Sequence, residues 1–154
     1  MRLELANILK TLLIAFSIFP YPSSFIYCTE TEAPAMKLKI TIDNIISLKA
    51  TMEDNKTSRD FMALLPMKLK LKDYSSTEKV SDLPDTLSTE SSAPGYKASK
   101  GDITYYSPWG NLAIFYRDFG YASGLIKIGH LDSGIDILSK IKDGTEVLFE
   151  LSDD

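Results

Sequence analysis

The chain of 154 residues is 44% hydrophobic and 25% charged, a balance normal for one folded domain with a core of ordinary size. Its formal charge of -4 argues against a phosphate-tracking surface, so nucleic acid is not expected as a partner. A single cysteine and a single histidine exclude an internal disulfide framework and a zinc site of nitrogen and sulfur ligands; no metal or cofactor is expected.

Residues 1–35 read as a leader and residues 36–154 as the folded domain. Arg2 and Lys10 precede the apolar run TLLIAFSIF. That run is too short to span a bilayer, which needs ~20 residues, and it suits the apolar core of a signal peptide. Pro20 and Pro22 break any helix behind it. Ala33-Pro34-Ala35 offers a small-x-small cleavage pattern. Cys28 offers the alternative of a lipid anchor, although the residue before it is the bulky Tyr27. The expectation is a secreted, periplasmic or cell-envelope protein that meets a membrane only through the leader or a lipid on Cys28. An uncleaved tail is the other reading.

From Met36 onward hydrophobicity alternates with period two. Leu38, Ile40 and Ile42 share one face of a strand, with lysines and Thr41 on the other. After the turn dipeptide Asp43-Asn44, Ile46, Leu48, Ala50 and Met52 alternate again, which makes a hairpin. Thr57 and Asp60 have capping-box spacing, Phe61, Leu64 and Leu65 follow at helical spacing, and Pro66 ends that helix. Asn55-Lys56-Thr57 matches a glycosylation sequon, but a helix start explains it more simply. Residues 67–72 then form a strand with Lys68, Lys70 and Lys72 on a solvated face.

Residues 75–100 are irregular and too long for a structureless loop. Short strands are expected near residues 79–83 and 86–87. Two β-rich runs, DITYY and NLAIFY, flank the turn cluster Ser107-Pro108-Trp109-Gly110-Asn111 and give a second hairpin. Residues 117–124 form a glycine-punctuated loop before a strand at 125–131. Ser133 and Asp136 have capping-box spacing for a short helix carrying Ile135, Leu138 and Ile141. Asp143-Gly144 ends it, and residues 145–151 close the chain as a strand. Seven or eight short strands without βαβ alternation favour a closed barrel or a sandwich.

The segment GDITYYSPWGNLAIFYRDFGYASGLIKIGHLDSGIDIL, with the upstream TSRDFMALLP and TEKVSDLP, resembles the bacterial cyclophilin-like family of small barrel proteins. The resemblance runs from Met36 to Leu151. It implies a mainly β fold, a closed eight-stranded antiparallel barrel with two short helices over its open ends, and it implies no settled activity. Cyclophilins proper are peptidyl-prolyl isomerases that use an arginine to weaken amide resonance and a glutamine to hold the substrate. This chain has no glutamine, and beyond the leader its arginines are Arg59 and Arg117. The fold can be shared without the activity.

The candidate binding residues are Trp109, Arg117, Tyr105, Tyr106, Tyr116 and His130; no catalytic residue is assigned. Trp109 is read either as a recognition anchor or as a plug folded over a barrel end. Tyr105 and Tyr106 must point to opposite faces of their strand, one into the core and the other toward a groove with Tyr116 and Trp109. Arg117 is an anion or carbonyl anchor, or else a partner of Asp118. His130 lacks a nucleophile in a Gly-x-Ser-x-Gly elbow and reads first as structural. The leading function is a module that binds a small molecule or an extended peptide; weak prolyl isomerisation through Arg117, or docking to an envelope partner through residues 75–100, are the alternatives. Export predicts a mature N-terminus near Met36 or at Cys28, and N-terminal sequencing that begins at Met1 would remove that expectation.

Overall fold

A computed structural model describes residues 35–152; the leader readings, Cys28 included, lie outside the described residues. The strands are β1 (Lys37–Ile42), β2 (Ile46–Met52), β3 (Met67–Tyr74), β4 (Glu78–Asp82), β5 (Gly95–Lys97), β6 (Asp102–Tyr106), β7 (Asn111–Phe115), β8 (Tyr121–Ser123), β9 (Leu125–Leu131) and β10 (Thr145–Leu151). The helices are α1 (Lys56–Ala63) and α2 (Ile135–Leu138). Eight strands close an antiparallel barrel in the order β1, β10, β3, β4, β7, β6, β9, β2, with β2 returning to β1. Closure leaves no unpaired barrel edge. The remaining two, β5 and β8, form a separate antiparallel ribbon.

Alternation places the core. Leu38, Ile40 and Ile42 of β1, Leu48, Ala50 and Met52 of β2, and Met67, Leu69 and Leu71 of β3 all fill the barrel. The β3 lysines Lys68, Lys70 and Lys72 stay exposed. The first hairpin turns through Asp43 and Asn44, both at positive φ, a conformation that Asp and Asn tolerate better than most residues. From α1, Phe61 and Met62 pack onto this core, with the Phe61 ring edge-on to Phe149 at 6.2 Å.

Strands β6 and β7 do not alternate between core and solvent, because they are buried on both faces. Ile103, Tyr105, Leu112 and Ile114 point inward with the main core. On the outer wall, Ala113, Phe115, Leu125 and Ala98 form a second buried cluster, joined by Val80, Tyr96, Tyr106 and Ala122. The β5–β8 ribbon contributes Tyr96 and Ala122 to that cluster, which accounts for the nearly continuous apolar run in the sequence.

Four local expectations are corrected. Asn55, rather than Thr57, caps α1, its Oδ1 accepting from the Ser58 amide at 2.8 Å. Thr57 and Asp60 instead hold the irregular segment: the Thr57 hydroxyl donates to the Ser88 carbonyl at 2.7 Å, and Asp60 accepts from the Ser88 amide at 3.0 Å. Residues 86 and 87 are not a strand, since this tether and the burial of Leu87 in the core fix them irregularly; the strand in that stretch is β5. The Ser133–Asp136 capping box does not form, because Gly134 in the left-handed region starts α2 without a side-chain cap. Within residues 117–124, β8 pairs with β5 where a loop is expected.

A polar group also lies inside the barrel register. Lys79 is buried, and its Nζ donates to the Ile141 carbonyl at 2.7 Å and pairs with Asp73 at 3.0 Å. The Tyr116 hydroxyl donates to Asp73 at 2.6 Å. Together these partners satisfy the buried ammonium, which would otherwise be strongly destabilising.

Candidate functional site

The β6–β7 turn carries Trp109 sideways onto the outer wall. The amides of Trp109 and Gly110 both donate to the Tyr106 carbonyl, at 3.2 and 2.9 Å, and Gly110 takes the positive φ that closes the turn. The indole is 59% exposed and meets Tyr106 and Tyr74 edge-to-face, at 5.4 and 5.7 Å with interplanar angles of 79° and 84°. It is an outer-wall side chain, not a plug in the barrel.

These rings wall a cup of about 190 Å³. Phe115 and Phe119 line it too, their centroids 5.6 Å apart, with Ala122 and Leu125 beside them. Phe119 is held there by its own amide, which donates to the Ala98 carbonyl at 2.9 Å. Two polar groups enter the lining, Glu78 from β4 and Asn111 from β7. Register explains both: Glu78 pairs with Phe115 and with Tyr74, and Asn111 with Tyr106, so all share the outer face.

Neither polar group is conventionally satisfied. Asn111 is buried, and its Oδ1 finds no hydrogen-bond partner among the described residues. Such an orphan costs about 1–3 kcal/mol. Burial pushes the Glu78 carboxyl up to about 7, and the Asp73 charge adds to that rise. No cation pairs with Glu78 among the described residues.

A larger groove of about 790 Å³ opens between the start of α1 and the irregular segment, lined among others by Glu53, Arg59, Ser92, Tyr96 and Lys127. Its cations are matched within the chain: Arg59 pairs with Asp54, Lys56 with Asp60, and Lys127 with Glu53 at 3.1 Å. The cup is smaller, and its lining brings an orphaned amide oxygen and an unpaired carboxylate together.

The sequence-read residues separate. Trp109 and Tyr106 meet in the cup. Tyr105 does not join them: it is fully buried in the barrel, its hydroxyl accepting from the Leu87 amide at 3.3 Å. Tyr116 does not face the groove expected for it. It follows Leu112 and Ile114 in inward phase and bonds Asp73, and burial followed by that bond raises its hydroxyl to about 12. Arg117 is exposed, 6.0 Å from the Tyr116 ring and outside the cup lining. Asp118 accepts from the Lys100 amide at 2.8 Å, and no pairing of Asp118 with Arg117 is seen among the described residues.

His130 belongs to a different cluster. Its Nδ1 lies 2.9 Å from Asp102 Oδ1, and Asp102 Oδ2 accepts from Tyr96 at 3.0 Å and from the Ser99 amide at 2.8 Å. Lys127 Nζ is 3.4 Å from the same carboxylate. Burial acts to raise the Asp102 carboxyl, but these hydrogen bonds and the lysine charge together hold it below its ordinary range. The ring lies so close to Gly101 (φ +98°) that a Cβ there would stand 2.6 Å from His130 Cε1. The Ser107 hydroxyl donates to the Gly124 carbonyl at 3.0 Å. The cluster ties β5, β6 and β9 together.

Tyr74, Glu78, Asn111 and Phe119 were not singled out from sequence. They come from separate segments, and only the barrel register assembles them.

Opposite pH signatures follow for the two carboxylates. The raised Glu78 pKa means that stability is lost as pH climbs from the unfolded carboxylate range through 7. Glu78→Gln is expected to melt higher than the parent at pH 8, with the gap shrinking toward pH 4.5 in thermal scans. The depressed Asp102 pKa works the other way, its contribution complete at neutral pH and fading as acid protonates the folded carboxyl. Asp102→Asn should cost about 2 kcal/mol at pH 7 in urea titration, and little below pH 3.

Comparison with curated proteins finds no match. Among solved structures, the chain is similar to a hypothetical protein of Archaeoglobus fulgidus determined in solution, at 18% identity and a TM-score of 0.57, covering 80% of this chain and 99% of that one. That likeness shows a shared fold. The profile of the cyclophilin-like family matches residues 40–150, from within β1 to within β10, and the chain belongs to that family.

Proposed function

We propose that this barrel is a binding module whose site is the outer-wall cup, and that the cup takes one compact end group of a small molecule or peptide. The carrying observation is Glu78, a desolvated carboxyl in the cup lining that no cation pairs with among the described residues. Native proteins rarely leave such a group unpaired, and a ligand donor would satisfy it. Aromatic walls around a few polar groups are the usual composition of a recognition pocket. At about 190 Å³ the cup is below the 300–1,000 Å³ usual for whole drug-sized ligands, so it suits a head group rather than an entire molecule. Export is part of this reading and rests on residues 1–35 alone. Arg117 stands outside the cup, so the isomerase alternative gains no electrostatic group there.

Trp109 is the chain's single tryptophan, so its fluorescence reports the cup directly. A fragment set titrated against the protein should shift or quench that emission. By calorimetry, Trp109→Ala should weaken each hit at least tenfold, about 1.4 kcal/mol. Arg59→Ala, in the open groove, should leave affinity unchanged. Hits that lose affinity with Arg59→Ala and keep it with Trp109→Ala would move the site to the groove.

A further inference from the structure

The cup's geometry points to an alkylated ammonium group as its ligand, seated among Trp109, Tyr74 and Tyr106 with Glu78 as counter-ion. This rests on the reading of the cup as the binding site and names what that site selects. Three observations converge. First, the rings meet at nearly right angles, 79° and 84°, so they are not stacked face to face. A π-face carries the negative end of the ring quadrupole and attracts a cation within about 6 Å. Second, the lining holds one acid and no base. An anion would meet Glu78 as a repelling charge, and a neutral group would leave that carboxylate desolvated and unpaired. Third, Asn111 lines the same space, and its side-chain oxygen, a second acceptor, has no partner among the described residues. Aromatic faces, a carboxylate and a carbonyl oxygen share one preference, which is positive charge on a small apolar surface.

The proton balance follows. A seated cation favours the ionised carboxylate, so binding releases a proton when Glu78 starts protonated, as part of the population is near pH 7. The ionisable groups around Glu78 are Asp73, Tyr74 and Lys72 on β3, Lys79 and Asp82 on its own strand, Tyr106 on β6, and Tyr116 and Arg117 at the end of β7. Asp73 is held ionised below its ordinary range, chiefly by the Tyr116 hydrogen bond, and Lys79 is tied to it. Tyr116 is raised to about 12. Glu78 is the member of this set raised into the neutral range.

The test uses three probes with the same ethanol tail: choline, protonated N,N-dimethylethanolamine and the neutral isostere 3,3-dimethylbutan-1-ol. Each is titrated calorimetrically and by Trp109 fluorescence into the protein. At pH 8 both cations should bind at least tenfold tighter than the neutral isostere. Choline affinity should fall about tenfold between pH 8 and pH 6, the linkage expected for a carboxyl titrating near 7. Glu78→Gln should abolish the pH dependence and most of the cation preference while keeping the affinity for dimethylbutanol, which also shows that the variant cup is intact. A short peptide carrying trimethyl-lysine presents the same head on a different body, and tighter binding of either form identifies the source. Equal binding of choline and dimethylbutanol would overturn the ammonium assignment and leave the cup standing as a site. If neither choline nor dimethylbutanol perturbs Trp109 at millimolar concentration, the cup itself fails as the site and the assignment falls with it.

Discussion

The two-sided burial of β6 and β7 is the constraint on which the rest of the structure depends. Their inner side chains fill the barrel, and their outer ones support the β5–β8 ribbon. Apolar burial contributes about 25 cal/mol per Å², so covering this wall stabilises the hairpin from both sides. The cover is partial: Tyr106, Asn111 and Phe115 carry outward positions that line a cup beside Ala122 of the ribbon. The cup occupies that remainder. Trp109 and Phe119, from two different loops, form its walls, while β4 and β7 supply the polar floor.

Much of the barrel was legible because one-sided strands advertise themselves. In β1, β2 and β3 the apolar residues fall every second position, and their lysines and threonines mark the wet face. Tyr105 and Tyr106 had to diverge for the same reason, and they do. Tyr116 was misplaced by attending to its aromatic neighbours rather than to phase, since Leu112, Ile114 and Tyr116 occupy alternate positions and share the inward face. The capping signals failed for a local reason: side chains with the right spacing at Thr57 and Asp60 were taken by a long-range tether to Ser88. Spacing shows which bonds can form, and tertiary packing decides which do.

The site was only half legible. Trp109 stood out because a large aromatic in a polar turn has few ways to be wholly buried. Glu78 lies thirty-one positions before Trp109 and reaches the cup through two strand registers, β3 to β4 and β4 to β7. No short-range pattern carries that information. The same holds for Asp102, whose partners Tyr96 and His130 are brought to it by the β6–β9 pairing and by the segment that leads out of β5. Periodicity reads faces, whereas sites that join faces of different strands require the order of the strands around the barrel.

Glu78 and Lys79 are adjacent in sequence, and alternation sends them to opposite sides of the same wall. Lys79, inside, is fully compensated by Asp73 and the Ile141 carbonyl, with the Tyr116 ring 5.9 Å away. Glu78, outside, is compensated by nothing in the chain and is repelled by the same Asp73 that neutralises Lys79. One carboxylate therefore stabilises the interior and raises the neighbouring acid across the wall. If compactness alone governed the sequence, a residue without charge at Glu78 would serve it better. Uncompensated polar groups of this kind concentrate where a fold gives up stability for recognition. Asn111 shows the same departure on the neighbouring strand of the same cup, and two such departures in one lining are harder to ascribe to packing than either alone.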